Sequence, residues 1–407
     1  MLAQSPIELM PRLVALRGGL GNVAGVRLAG VHAGIKKRKR DLALIAFDAP
    51  QACASVITTN EIKAAPVLVT RDSLKTHGSQ MRAIVCNSGN ANACTGAKGE
   101  RDARGTARQA AALLGIPKQS VVVASTGVIG VPLPIDRISK SLERAVEDLE
   151  DGGEAAWDAA EAIMTTDRVP KLAAYAFYEG EKRYVVGGIA KGSGMIAPNL
   201  ATMLAFIATD APMSQDELQR HLAACADASF NMISVDGDMS TNDSVYAFAP
   251  VSEAAAPKHF AAALRKLCEE LAQAMVADGE GATKTLTVHV TGAKDEAQAR
   301  TVARSIINRN SVKSMINGED PNWGRIVAAA GEARAGIDPE KWSLYLNDLL
   351  WVDVGAVEVL SEAEGHRELE HKNIIIRLDL GIGTSAATGW ACDISRDWVR
   401  INASYRT

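Results

Sequence analysis

The sequence has few aromatic residues, no marked excess of charge of either sign, and no long hydrophobic run. Aromatic side chains make up 4% of its 407 residues, and the formal net charge is −4 with a pI near 6.0. Nucleic acids and membrane surfaces attract strongly basic faces, so this balance disfavours both as partners. Because no apolar stretch approaches about 18 residues, a membrane-spanning helix is not expected.

Cysteines are also scarce and widely separated. The six cysteines form no CxxC pair, and no histidine lies at metal-ligand spacing from any of them. They are therefore predicted to be buried free thiols, with neither disulfides nor a metal site. The amino-terminal stretch MLAQSPIELMPRL has an early Glu8 and no basic n-region, which is untypical of a secretory signal. These features favour a cytoplasmic protein.

The chain is rich in apolar residues, at 47%, which is enough for one large core or two moderate ones. Short β-branched runs predict strands, and apolar residues near every third or fourth position predict helices. The predicted strands include DLALIAF, APVLVT, RAIVCN, SVVVAST, RYVVGGIA, TMLAFIATDA, KTLTVHVTG, NIIIRLDLG and the carboxyl-terminal WVRINASYRT. Strands and single helices do not alternate strictly, so the pattern indicates a mixed α/β fold without requiring a doubly wound sheet.

Two glycine motifs and a basic run imitate known sites. In GGLGNVAG (residues 18–25) the glycines follow a GxGxxxG spacing, and the following residues are typical of strand and loop, whereas a dinucleotide site requires a helix there. In KGSGM, Lys191 occupies the place of the first glycine of a serine-hydrolase elbow. The basic run at residues 36–40 directly precedes an apolar strand, and is predicted to be a solvated loop.

Three polar, glycine-rich stretches each follow a predicted strand: NSGNANACTG (87–96), ASTGVIG (124–130) and SVDGDMSTNDS (234–244). One such loop alone is usually an ordinary turn, but several together predict a shared site. Glycines allow backbone N–H groups to approach a ligand closely, and a Thr-Gly pair at a strand end can stabilise a developing oxyanion. Thr126 and Gly127 fit that role.

The stretch MIAPNLATMLAFIATDA (195–211) contains a threonine for which a buried strand has no evident need. A threonine hydroxyl is a poor nucleophile without a nearby base, and its own α-amine can serve as that base once the preceding peptide bond is cut. The pKa of a free α-amine, about 7.7 to 8.0, suits proton transfer near neutral pH. This chemistry predicts that the chain cleaves itself between Ala201 and Thr202, after a bend at Pro198 and Asn199.

These residues resemble the ornithine acetyltransferases, or glutamate N-acetyltransferases, of arginine biosynthesis across nearly the whole chain. The motifs that carry the resemblance are GIKKRKRDLALI, AAPV, NSGNANACTG, ASTGVIG, IMTTD, KGSGMIAPNLATMLAFIATDA, VDGDMSTNDS, ADGEGATK, DPNWGRI and NASYRT. The resemblance implies a layered, N-terminal-nucleophile-like α/β fold. It also implies a cut after Ala201 into an α chain (residues 1–201) and a β chain (residues 202–407), which remain associated and assemble as a heterotetramer.

The resemblance also implies roles for individual residues. Thr202 would be the nucleophile, and Thr126 and Gly127 would form its oxyanion hole. The implied substrate-binding residues are Thr165, Lys191, Thr202, Glu280, Asn402 and Thr407. Two positions depart from the family pattern: Arg168 replaces a frequent threonine, which leaves the alignment of Thr165 against Thr166 open, and Ser404 replaces a common acidic residue.

The implied reaction is ping-pong acyl transfer. Thr202 takes the acetyl group of N2-acetylornithine as an ester, and the amine of glutamate then removes it to give N-acetylglutamate. No cofactor is expected, and acetyl-CoA as a second acetyl donor is left open. The alternatives are an aminopeptidase or amidase of similar self-cleaving fold, and a non-catalytic binding protein in which Thr202 is merely buried. The strand-like pattern of DWVRINASYRT further predicts a carboxyl terminus that docks as a strand in the site.

Overall fold

The structure is a computed structural model and describes residues 13–197, 203–354 and 357–404. Its strands are β1 (Val14–Leu16), β2 (Val26–Val31), β3 (Leu42–Ile57), β4 (Met81–Asn90), β5 (Val121–Val128), β6 (Lys171–Glu179), β7 (Lys182–Lys191), β8 (Leu204–Thr209), β9 (Ile233–Ser234), β10 (Ser244–Pro250), β11 (Thr285–Ala293), β12 (Ser343–Leu346), β13 (Leu349–Asp353), β14 (Val357–Glu358), β15 (Asn373–Asp379) and β16 (Ser385–Cys392). Its helices are α1 (Ala65–His77), α2 (Gly96–Leu114), α3 (Ile135–Glu147), α4 (Gly152–Ile163), α5 (Gln215–Ala228), α6 (Phe260–Ala277), α7 (Glu296–Ile307), α8 (Asn310–Gly318), α9 (Trp323–Glu332), α10 (Glu362–Leu369) and α11 (Arg396–Ser404).

Among the described residues, the first sheet has nine strands, in the order β1-β6-β7-β8-β10-β3-β4-β5, with β2 paired to β3. Strands β8 and β10, which follow residue 202, lie in the middle of this sheet. β8 pairs antiparallel with β7, β10 pairs parallel with β8, and β10 pairs antiparallel with β3. The two halves of the chain on either side of residue 202 therefore share one continuous hydrogen-bonded sheet.

The second sheet has seven strands, in the order β14-β13-β12-β15-β11-β16-β9. All of them follow residue 232 in the sequence. Leu286, Val288 and Val290 alternate along β11 and pack with α7 and α9 into a core of their own. This alternation is the period of a strand with one buried face.

Helices cover the first sheet on both faces and connect it to the second. The alanine-rich α4 packs on one face, and α5 and α6 pack on the other. α6 contacts β6 and β7 and also reaches β16 of the second sheet. The observed arrangement is the predicted layered α/β class. Within the part of the chain that the structure describes, no helix is long and apolar enough to cross a membrane.

Two predicted strands are helices. APVLVT begins α1, where Pro66 lies in the first turn and its fixed φ suits a helix start. The carboxyl-terminal segment forms α11, whose first amides, those of Asp397 and Trp398, donate to the hydroxyl of Ser395. In both segments the β-branched run is too short for the pattern to distinguish the two structures.

The predictions for the glycine motif and for five of the cysteines are confirmed, and the basic run is a loop that is exposed at residues 37–39 and half-buried at Lys36 and Arg40. The glycine motif at residues 18–25 leads into β2, and the basic run at residues 36–40 lies in the loop between β2 and β3. Five of the six cysteines are buried free thiols, as expected, but Cys94 is exposed. Cys94 lies in the polar loop that follows β4, at a positive φ of 56°, and this turn directs it to the surface.

Candidate active site

One cavity collects residues from all three of the polar loops that the sequence singled out. It lies where β4, β5 and β7 of the first sheet end, and the loop between β9 and β10 completes it. Its described lining residues are Ala91, Thr126, Gly127, Ile129, Thr165, Thr166, Gly194, Met195, Asp236, Asp238, Ser240, Thr241, Asn242, Glu280 and Asn402. The predicted convergence of the loops is therefore confirmed.

Thr126 and Gly127 form one wall of the cavity at the end of β5. The parallel pairing of β4 with β5 changes register between Gly89 and Asn90, directly opposite these two residues. Gly127 has a φ of +130°, and a Cβ there would lie 2.4 Å from the carbonyl carbon of Gly89. Only glycine fits this position, because both the backbone angle and the close strand exclude a side chain.

Asn242 fastens the loop between β9 and β10 to that wall. Its Nδ2 donates to the carbonyl oxygens of Ala91, at 2.7 Å, and Ser125, at 2.8 Å. The side chain is buried, so these bonds replace water and fix the spacing between β4, β5 and the loop. The loop is thus a rigid part of the cavity.

Glu280 supplies a carboxylate on the opposite side. Its backbone N–H donates to the carbonyl oxygen of Ser193 at 2.7 Å, and its Oε2 accepts a hydrogen bond of 2.9 Å from Nδ2 of Asn402. A Cβ at Gly194 would lie 2.4 Å from the Glu280 carboxyl carbon, so the second glycine of KGSGM makes room for this side chain. Helix α11 brings Asn402 to the cavity, although as a helix and not as the predicted strand.

The TTD segment forms the floor near residue 165. The carboxylate of Asp167 accepts the backbone N–H of Thr165 at 3.0 Å and that of Gly192 at 2.7 Å. Thr165 and Thr166 both line the cavity, and the hydroxyl of Thr166 lies 2.7 Å from that of Ser193. Thr165 was predicted to bind substrate, and its alignment against Thr166 was left open. The two adjacent threonines were the signal that could have identified Thr166 as a second lining residue.

Lys191 lies beneath the cavity and is fully buried at the end of β7. Burial lowers its pKa, while the nearby carboxylates of Asp167, Asp243 and Glu280 oppose that shift. Its Nζ is 3.8 Å from Oδ2 of Asp167. Burial would raise the pKa of Asp167, but Lys191 and Lys171 together hold it well below its usual range.

The departure at Arg168 has a structural explanation. Its Nε donates to Oδ1 of Asp278 at 2.9 Å, and its backbone N–H donates to Oδ2 of the same residue at the same distance. Lys171 also reaches this carboxylate, at 2.7 Å. Arg168 therefore belongs to an ion-pair network that fastens the TTD segment to the end of α6, outside the cavity.

Three predicted site residues cannot be compared with the structure. Ala201, Thr202 and Thr407 lie outside the described residues, as does the predicted bend at Pro198 and Asn199. Thr126, Gly127, Thr165, Glu280 and Asn402 meet at one cavity, and Lys191 lies under it. The sequence missed individual roles for Asp236 and Asn242, although it did single out the SVDGDMSTNDS loop that contains them.

A cavity lined mainly by residues with hydroxyl, amide or carboxylate side chains, at the strand ends of a layered α/β protein, is typical of an enzyme that binds a small molecule. Residues 27–407 match the model of the ArgJ family, and the chain belongs to that family. The arginine biosynthesis bifunctional protein ArgJ of Symbiobacterium thermophilum is 46% identical over 403 residues, covering 96% of this chain and 99% of its own. The protein of the same name from Bacillus anthracis is 43% identical over 398 residues, covering 96% and 97%.

Two solved structures are similar to parts of the chain. The ornithine acetyltransferase of Mycobacterium tuberculosis, solved in complex with ornithine, is 42% identical, with a TM-score of 0.43 over 47% of this chain and 100% of the solved chain. The arginine biosynthesis bifunctional protein of Bacillus halodurans is 39% identical, with a TM-score of 0.45 over 47% of this chain and 99% of the solved one. The family resemblance predicted from the motifs is confirmed by the family match, and the chain is an acetyltransferase of arginine biosynthesis.

Proposed function

We propose that the chain transfers an acetyl group from N2-acetylornithine to glutamate through an ester on Thr202. The hydroxyl oxygen of Thr202 attacks the acetyl carbonyl carbon, the carbon–nitrogen bond breaks, and the hydroxyl proton passes to the leaving amine of ornithine. The amine of glutamate then attacks the ester, N-acetylglutamate leaves, and the hydroxyl of Thr202 regains its proton. The meeting of five expected site residues at one cavity carries this proposal.

Thr126 and Gly127 stabilise the oxyanion in both half-reactions. Both line the cavity, and the change of register opposite them interrupts the regular strand pairing that would otherwise occupy their backbone groups. Donors that are fixed before the reaction cost no reorganisation when the charge develops. The tight contact between Gly127 and Gly89 supplies that rigidity.

The charge of the cavity suits the donor. Among its described lining residues, the charged side chains are all carboxylates, namely Asp236, Asp238 and Glu280. The side chain of ornithine ends in an ammonium ion, which a carboxylate binds strongly in a partly enclosed site. Lys191, beneath the cavity, supplies the opposite charge for the substrate carboxylates.

We further propose that the chain cuts itself between Ala201 and Thr202, giving the free α-amine that serves Thr202 as a base. The interleaved first sheet supports an α chain of residues 1–201 and a β chain of residues 202–407 that stay together. β8 and β10 pair with each other, and the pair is flanked by β7 on one side and β3 on the other, two strands that precede the cut. Assembly as a heterotetramer and a cytoplasmic location belong to the same proposal.

The decisive experiment is to mix the purified protein with N2-acetylornithine alone, quench the mixture, and measure the masses of its chains. We expect one added acetyl group on the 202–407 fragment, its loss when glutamate is added, and no adduct in Thr202→Ala. Acetyl-CoA as a competing donor tests the bifunctional reaction. If the acetyl group is transferred only when both substrates are bound together, the proposed ester on Thr202 is contradicted. Release of acetate without glutamate, as fast as transfer, would favour the amidase alternative.

A further inference from the structure

The loop between β9 and β10, residues 235–243, holds the chain just before the expected cut. The carboxylate of Asp236 accepts the backbone N–H of Met195 at 2.6 Å and that of Ile196 at 2.8 Å. In return, the carbonyl oxygen of Ile196 accepts N–H groups from residues 235, 236 and 237 at 2.9, 3.3 and 3.2 Å. Residues 195 and 196 are therefore fixed to the loop by five hydrogen bonds.

The same loop holds the chain just after the expected cut. Oδ1 of Asp243 accepts the backbone N–H of Met203 at 3.0 Å, and it also accepts the hydroxyl of Ser240 at 2.8 Å. The backbone N–H of Ser244 donates to the carbonyl oxygen of Met203 at 3.1 Å, where β10 begins to pair with β8. Met203 directly follows Thr202, so this attachment is one residue from the nucleophile.

The burial of the Asp243 carboxylate is unfavourable for folding stability, so stability alone does not explain an aspartate at this position. Its side chain is fully buried, and among the described residues its Oδ2 has no hydrogen-bond partner. A buried carboxylate oxygen without a hydrogen-bond partner is unfavourable, because the water it loses on burial is not replaced. An asparagine could accept the same N–H of Met203 without a buried charge, so the aspartate points to a function that uses the carboxylate.

We propose that Asp236 and Asp243 form a two-point clamp, which holds residues 195–196 and residue 203, and that this clamp is required for self-cleavage of the bond between Ala201 and Thr202. The inference rests on the proposed function, because it assumes that cut. Both aspartates are positioning residues, since they act through the backbone on either side of the reacting atoms. Groups that are held in position lose less freedom when they react, so fixed residues on both sides of a reacting bond favour its cleavage.

The step that the clamp assists is balanced within the chain and one water molecule. The hydroxyl oxygen of Thr202 attacks the carbonyl carbon of Ala201, the peptide carbon–nitrogen bond breaks, and the hydroxyl proton ends on the freed nitrogen. Water then hydrolyses the resulting ester, which leaves a carboxylate on Ala201 and restores the hydroxyl of Thr202. Neither aspartate gains or loses a bond.

The clamp predicts a pH dependence. Burial raises the pKa of Asp243 to about 7, opposed by hydrogen bonds from Ser240 and Met203 and by the charge of Lys191 on β7. Because this pKa is raised, Asp243 is a carboxylate above about pH 7 and neutral below it. A carboxylate holds an amide N–H more strongly than a neutral acid does, so cleavage should accelerate as the pH rises through 7. The α-amine of Thr202 is part of a peptide bond before the cut, so its titration cannot produce this rise.

The test compares Asp243→Asn and Asp236→Asn with the matched control Asp210→Asn. Asp210 also accepts a backbone N–H, that of Val185 at 2.7 Å, and burial also raises its pKa, but it lies at the far end of β8 from Met203. Each protein is purified, checked for folding by thermal unfolding, and followed by gel and mass spectrometry for conversion of the uncut chain.

We expect both clamp variants to cut at least tenfold more slowly than the unaltered chain, and Asp210→Asn to cut like it. The Asp236→Asn variant keeps Asp243, so the cleavage rate of its uncut chain should rise as the pH passes through about 7. The cleavage rate of Asp243→Asn should show no such rise. Clamp variants that cut at the normal rate, or a control that is equally slow, would overturn the clamp. If one of the two clamp variants fails to fold, the cleavage rate of the other variant tests the proposal. An unaltered chain that is never cut would instead refute the proposed cleavage itself.

Discussion

The two sheets differ in how the chain builds them. In the first sheet, β8 and β10 follow residue 202 yet lie between β7 and β3, which precede it. In the second sheet, all seven strands come from residues after 232. A cut before residue 202 would leave the second sheet in a single chain and divide the first between two. The first sheet would then bind the two chains together, while the second would be an ordinary core.

The cavity follows the same division. Most of its lining belongs to the first sheet and its loops, and the loop at residues 235–243 reaches it by crossing from β9 of the second sheet to β10 of the first. Two further lining residues lie near strands of the second sheet in the sequence. Glu280 precedes β11, and Asn402 follows β16. Changes near the first sheet should therefore affect chemistry, and changes within the second should affect stability.

The largest effect on turnover is expected at Gly127. Gly127→Ala places a Cβ against Gly89 at an unfavourable φ, so the cavity wall that Thr126 and Gly127 form must move. Loss of one oxyanion donor typically lowers kcat by about a hundredfold or more, with a much smaller change in KM. Initial-rate kinetics on protein with an unaltered melting transition is the measurement. Equal changes in kcat and KM would show that Gly127 has only a structural role.

Glu280→Gln should act on binding. It keeps the size of the side chain and removes the charge that faces the cavity, so KM for acetylornithine should rise about tenfold or more. The matched control is Glu340→Gln, an exposed position on the second sheet's side. Because Glu340 is not among the described residues that line the cavity, its variant should keep the original KM. A KM that is unchanged in both variants would remove Glu280 from the substrate site.

Deletion of residues 405–407 is expected to have a smaller effect on binding. Helix α11 is fixed to the cavity by Asn402 and to the carbonyl oxygen of Gly281 by Ser395. The deletion leaves these contacts intact, so self-cleavage should proceed while KM for acetylornithine or glutamate rises several-fold. An unchanged KM for both substrates would show that Thr407 does not bind substrate.

The smallest effect on turnover is expected in the second sheet's core. Trp351 on β13 is fully buried there. Trp351→Ala should destabilise the protein by about 3 to 5 kcal/mol, as large-to-small core substitutions do. Below its lowered melting temperature, kcat and KM should stay within a factor of two of the original values, a bound on the order of 0.4 kcal/mol. A loss of activity in fully folded protein would show that the two sheets are coupled.

Parts of the site could be predicted because they follow from local chemistry. The Thr126-Gly127 pair is visible as a polar break after a β-branched strand, and Glu280 lies in a motif that the family resemblance identified. The positions of Asp236 and Asp243 could not be predicted in the same way. An aspartate in a polar loop looks the same whether it caps a turn or holds an amide 40 residues earlier in the chain. The pairing of β8 with β10 brings Asp243 to Met203, and the hydrogen bonds from residues 235–237 to Ile196 bring Asp236 to the chain before the expected cut.

The fold shows a similar limit. The strands from β3 to β5 were readable because their apolar runs are long or purely aliphatic. APVLVT and the carboxyl-terminal segment were misread because a short β-branched run fits a strand or one side of a helix equally well. The order of strands in the first sheet was unreadable, since the position of β8 and β10 depends on contacts far apart in sequence.

The most direct test of the central claim is to determine the masses and the amino-terminal residue of the chains in the purified protein. We expect two chains that co-purify, of which the second begins at Thr202, and a single uncut chain for Thr202→Ala. A second chain that begins at any other residue, or an uncut chain that still forms the acetyl ester, would contradict it.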